Sequence, residues 1–136
     1  MKNLILITLF SVTAVASERS VVIPAPRFRI ESPEKSVSLE RKSNEWILTS
    51  YARKTKAASS QKISEVGEVA RVDARYDDIR NWVLESLPLL KPQANCQDIK
   101  IRMDGAFSRY VELCSGVPAH LIFATSFYSK ISASVN

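Results

Sequence analysis

The sequence predicts an α+β fold: a mainly antiparallel sheet of about five strands, one amphipathic helix packed on one face, and one hairpin disulfide. Three observations predict it. Several short stretches alternate apolar and polar residues, the period of a half-buried strand. Only 77–90 repeats its apolar residues at three and four. Both cysteines, Cys96 and Cys114, frame a stretch with Asp104-Gly105 near its middle. The alternative arrangement is a small β-sandwich or barrel with one decorating helix.

The chain opens MKNLILITLFSVTAVASERS. Lys2 gives a short positive start. The apolar run 4–12 is broken only by Thr8 and Ser11, and Ala14-Val15-Ala16 is a small-x-small cleavage site. This layout reads as a secretory signal peptide over 1–16. The run is too short for a membrane anchor, which needs about 20 apolar residues. No cysteine follows directly to take a lipid. The expected destination is the bacterial periplasm or the outside of the cell. About 120 residues then remain, the size of one domain with a real core. With Lys2 gone, the net charge of +5 becomes about +4. That is a mild bias toward acidic partners and far from a dedicated nucleic-acid binder.

Three prolines, Pro24, Pro26 and Pro33, exclude a helix over 17–35 and predict an extended arm or edge strand. Arg27 and Arg29 flank Phe28, with Ile30 on the Phe face. From 36 to 136 a single α+β domain is expected. Val37 and Leu39, then a Lys42-Ser43-Asn44 turn, then the Trp-, Ile- and Tyr-containing 45–53 predict a hairpin. The basic, small-residue stretch 54–64 lacks an apolar period and reads as a mobile loop.

Val72, Ala74 and Tyr76 share one parity against Arg71, Asp73 and Arg75, which predicts a strand over 65–76 with a bulge at Gly67. The helix follows over 77–90, with Asp77 as N-cap and Asp78 at the positive end of the dipole. Ile79, Trp82, Val83, Leu87 and Leu90 form its stripe, and Pro88 ends it.

Over 96–114 the parity of Ile99, Ile101, Met103, Phe107, Val111 and Leu113 predicts a core hairpin centred on Gly105. In that register 99 faces 111 and Cys96 faces Cys114. A shift of two residues would keep the parity. Two cysteines in an exported chain are expected to pair. The loop length predicts about 3 kcal/mol of stabilisation. The spacing does not fit the C-x-x-C of a redox pair. After a turn at 115–118, Leu121, Phe123, Thr125, Phe127 and Ile131 share a parity and predict a long strand. The alternative is a helix using Leu121, Ala124, Tyr128 and Ile131.

No phosphate-cradling glycine loop, nucleophile elbow or metalloprotease motif occurs, and no cofactor or metal is expected. No catalytic residue stands out. His120 is the single histidine and the sole focus for a hydrolase or nuclease-like toxin reading, which would need it in a cleft beside Glu or Arg. The binding candidates are Arg71, Arg75, Lys100, Arg102 and Tyr110, expected on the polar faces of neighbouring strands. The expected function is surface recognition of a protein or an acidic envelope component, with nucleic acid disfavoured. A third reading is an inhibitor that presents the 96–114 hairpin to an enzyme cleft.

Overall fold

The computed structural model describes residues 23–91 and 95–136. The expected signal segment lies outside them. Six strands form one antiparallel sheet: β1 (Arg27–Glu31), β2 (Lys35–Lys42), β3 (Glu45–Ala52), β4 (Ala57–Ile63), β5 (Ile99–Asp104) and β6 (Arg109–Leu113). Their spatial order is β4-β3-β2-β1-β5-β6. Helix α1 (Val66–Ser86) leads into a 3₁₀ turn (Leu87–Leu89), and helix α2 (Pro118–Ser134) follows β6. The fold is α+β, an open sheet and not a sandwich or barrel.

The period of two in the strands sorts their side chains. Phe28, Ile30, Val37, Leu39, Trp46, Ile63, Ile99, Ile101, Met103 and Leu113 are buried on one face. Both helices lie on that face, because Phe28 touches each of them. Its ring stacks on Tyr76 of α1 at 4.3 Å and meets Phe127 of α2 edge-on at 5.4 Å. Between the helices, Trp82 stacks on Phe123 at 4.8 Å. Each large side chain so buried stabilises the fold by about 1.5–3 kcal/mol before entropy. Among the described residues, no element covers the other sheet face, the open face.

The hairpin expected over 36–53 is β2 and β3, with Ser43 in the left-handed conformation at φ 54°. Within the arm expected over 17–35, Arg27–Glu31 forms an inner strand, between β2 and β5, not an edge one. Three further expectations are corrected. The loop expected over 54–64 contains β4. Six of its seven residues are exposed, so it has no core face and shows no alternation.

The strand expected over 65–76 is the first half of α1. Its buried residues Val69, Val72, Tyr76, Ile79 and Val83 recur at three and four. Glu65, not Asp77, is the N-cap, and its carboxylate accepts from the Gly67 and Glu68 amides. Gly67 lies in the first turn and makes no bulge. Pro88 sits in the 3₁₀ turn that ends the helix. The strand expected over the last apolar run is α2. Phe123, Phe127 and Ile131 lie four apart, a spacing that satisfies one strand parity and one helix stripe alike. Ala124, Tyr128 and Ser134 complete the buried helical face, and Pro118 begins it without loss of a needed donor.

The 96–114 hairpin forms in the register shifted by two. Ile99 faces Leu113, Ile101 faces Val111 and Met103 faces Arg109. Its connection is 105–108, one residue longer than expected, and Phe107 stands 63 % exposed instead of in the core. Asp104 stays in β5, opposite Arg27 of β1, and its carbonyl accepts from the Tyr76 hydroxyl, so the connection begins at Gly105. Gly105 follows at φ 142°, and a Cβ there would stand 2.9 Å from the Tyr76 hydroxyl. Cys96 and Cys114 are disulfide-bonded just outside the ladder, with Cα atoms 5.1 Å apart.

Candidate anion-binding sheet face

The open face carries the polar parity of β1, β5 and β6. Three rows cross β1 and β5 on it. Arg27 opposes Asp104, Glu31 opposes Lys100, and between them Arg29 opposes Arg102. The outer rows are complementary. The middle row sets two like charges directly across from one another, an arrangement that destabilises a sheet. Tyr110 extends this row on β6, opposite Arg102.

These side chains enclose a depression of about 220 Å³ lined by Arg27, Arg29, Glu31, Lys100, Arg102 and Tyr110. Arg27 is neutralised: its Nη2 lies 2.6 Å from Asp104 Oδ2. Arg29 has Glu31 at 3.7 Å, but Glu31 also serves Arg53 at 3.6 Å. Among the described residues, Lys100 and Arg102 form no ion pair. The Arg102 guanidinium lies 5.8 Å from the Tyr110 ring centre, a cation–π distance. Tyr110 donates to Glu112 Oε2 at 3.2 Å. Desolvation, then the Glu112 charge, raise its hydroxyl above the usual tyrosine value. The arrangement is suited to charge-assisted hydrogen bonds to a carboxylate or phosphate.

Three of the five sequence-derived candidates, Lys100, Arg102 and Tyr110, therefore meet on one surface. Arg71 and Arg75 do not join them, because the segment expected as a strand is helical and lies on the other side of the sheet. Arg71 Nη1 donates to the carbonyls of Ser134 and Asn136, at 3.0 and 3.3 Å, and so caps the end of α2. Arg75 is exposed on α1, beside Asp78 and Lys130. The sequence alone does not single out Arg29. Its signal was the Arg27-Phe28-Arg29-Ile30 alternation, which gains meaning only once β1 is known to neighbour β5.

His120 is 1 % exposed in the first turn of α2. Its Nδ1 accepts from the Cys114 amide at 3.1 Å, and its Nε2 is 2.8 Å from the Lys91 carbonyl. Both ring nitrogens are engaged by backbone groups, and among the described residues no Glu or Arg side chain hydrogen-bonds to the ring. Asp77 and Asp78 are exposed along α1. Asp98 accepts from the Ser115 amide at 2.9 Å and from the Ser115 hydroxyl. These bonds hold its carboxyl below the usual carboxylate value. With the disulfide they close the base of the hairpin. Cys96, Asp98 and Cys114 are close enough to share an ion, but the two sulfurs are bonded to each other and offer no thiolate.

Among the described residues no helix is long and apolar enough to cross a membrane. No protein-family model, curated protein or solved structure matches this chain.

Proposed function

We propose that this protein is a small exported binding domain of the bacterial envelope or extracellular space. It holds an acidic partner, a protein or an envelope component, on the open sheet face. Arg29, Lys100 and Arg102 supply the charge, and the Tyr110 ring packs beside the Arg102 guanidinium. The disulfide supports export, since such bonds persist in oxidising compartments. The signal-peptide pattern of 1–16 points the same way.

The observation that carries the reading is the Arg29–Arg102 opposition. The rows on either side show that the same two strands accommodate Arg–Asp and Glu–Lys pairs. An acidic residue at 102 would complete the pattern. An arginine there leaves two guanidinium groups facing solvent on a surface that a carboxylate ligand would neutralise.

The test is titration of a short poly-glutamate peptide into the wild-type protein and into Arg102→Glu. Wild-type binding should weaken as salt rises. Arg102→Glu should lose binding while its melting temperature holds or rises, because the new pair contributes about 0.2–1 kcal/mol. Equal binding by the two proteins overturns the proposal. A second reading, the enzyme inhibitor, rests on Phe107, which stands exposed at the hairpin tip as an anchor for a partner's cleft. Capture of an enzyme that survives Phe107→Ser counts against it.

A further inference from the structure

Among the described residues, strand β4 ends the sheet on one side and no element covers its outer edge. Exposed edges are usually guarded by proline, a bulge, an inward charge, or a covering element. β4, AASSQKI, holds no proline and pairs without interruption to β3 from Ala57 to Ile63. Its one charge, Lys62, is on the open face and already meets Glu45 at 3.5 Å. Only Ile63 reaches the core. The opposite edge, β6, is shorter and carries Arg109 and Glu112.

We propose that β4 pairs antiparallel with β4 of a second copy, about a two-fold axis at Ser60. In that register Ser60 faces Ser60, Ser59 faces Gln61, Ala58 faces Lys62, and Ala57 faces Ile63. No like charges oppose. Past the strand ends, the β3–β4 turn of one copy lies alongside the start of α1 of the other. The turn carries exposed Lys54 and Lys56, which form no ion pair among the described residues; the helix start carries exposed Glu65 and Glu68. A parallel arrangement would instead set lysine turn against lysine turn. The charge distribution thus selects a second copy in the antiparallel sense. Pairing also joins the two sheets edge to edge and keeps both open faces on one side. An extended acidic partner would then meet two cationic depressions, with the gain in avidity that two sites allow.

Sedimentation equilibrium of the mature, oxidised protein tests the pairing. The wild type should show a concentration-dependent dimer. Ser60→Lys opposes lysine to lysine at the axis and should weaken the dimer by about tenfold or more. Ser60→Glu should do the same, and mixing the two variants should restore the dimer as a heterodimer. Ser60 is exposed, so a thermal melt should show both variants folded. A wild type that sediments as a monomer at every concentration overturns the proposal, as does a Ser60→Lys protein that dimerises like the wild type. Capture of an unrelated extended peptide by a monomeric wild type overturns it too, and assigns the edge a different occupant. None of these results bears on Arg29 or Arg102, whose anion binding is read separately.

Discussion

Gly105→Ala, combined with Tyr76→Phe, tests how the end of β5 is held against α1. Gly105 has φ 142°, where a residue with a Cβ carries about 1–3 kcal/mol of strain. The new Cβ would also stand 2.9 Å from the Tyr76 hydroxyl. That hydroxyl cannot withdraw easily. It donates to the Asp104 carbonyl, and its ring is 3 % exposed and stacked on Phe28. Alanine therefore displaces the hydroxyl and loses a buried hydrogen bond worth about 1 kcal/mol. Strain and lost bond together predict about 2–4 kcal/mol for Gly105→Ala. Tyr76→Phe loses the same bond, about 1 kcal/mol, and opens the space that the Cβ needs. The bond is then counted once in the double variant, whose loss should fall about 1 kcal/mol short of the sum. Urea unfolding followed by tryptophan fluorescence measures all four corners; Trp46 lies 5.6 Å from the Tyr76 ring and reports locally. Additivity within about 0.3–0.5 kcal/mol would refute the shared role of the hydroxyl.

Two further predictions concern the ends of the same hairpin. Replacing both cysteines by serine opens a loop with a sequence separation of 18. The chain-entropy model gives a loss of about 3 kcal/mol, and at about 4–8 °C per kcal/mol the melting temperature should fall by more than about 10 °C; a fall of a degree or two by calorimetry contradicts it. Stability should also fail at both pH extremes. Asp98 is held below its ordinary value of 3.8, so its contribution is complete above that value and is lost as pH falls through the lower, folded one. Burial pushes Tyr76 from 10.0 up to about 12, so its contribution is complete below pH 10 and is lost as pH rises from 10 to 12. Asp98→Asn should flatten the acid limb and Tyr76→Phe the alkaline limb in urea midpoints against pH; unchanged limbs refute the assignments.

The strands with one buried face were legible, because a single parity carries their core residues. Val37, Leu39, Ile99, Ile101 and Leu113 all behave this way. The helices were half legible for the converse reason. Residues four apart share a strand parity as well as a helix face, so Val72 and Tyr76, or Phe123, Phe127 and Ile131, fit both. The distinguishing signal is a step of three, which changes parity. In α1 the steps Val69 to Val72 and Tyr76 to Ile79 are of that kind. A helix start at Asp77 cuts the second step in two and leaves the first half looking like a strand. The same ambiguity makes Arg71 and Arg75 look like sheet residues. β4 was illegible by any period, since neither of its faces is buried.

The two functional proposals rest on places where the sheet departs from its own rules. Between β1 and β5 the three open-face rows read Arg–Asp, Arg–Arg, Glu–Lys, with the like pair in the middle. The complementary rows show that charge pairing across these strands is within reach of the sequence, so the middle row is not a general consequence of a basic chain. β4 departs differently. It adds seven paired residues yet buries one side chain. Strand pairs without an apolar face are marginal in water, so most of β4 draws little stability from its own domain. A second copy would supply the missing neighbour, and the exposed lysines and glutamates at opposite ends of β4 orient it. The like-charged row and the uncovered edge lie on one sheet, yet different perturbations reach them: charge at 102 for the first, charge at 60 for the second.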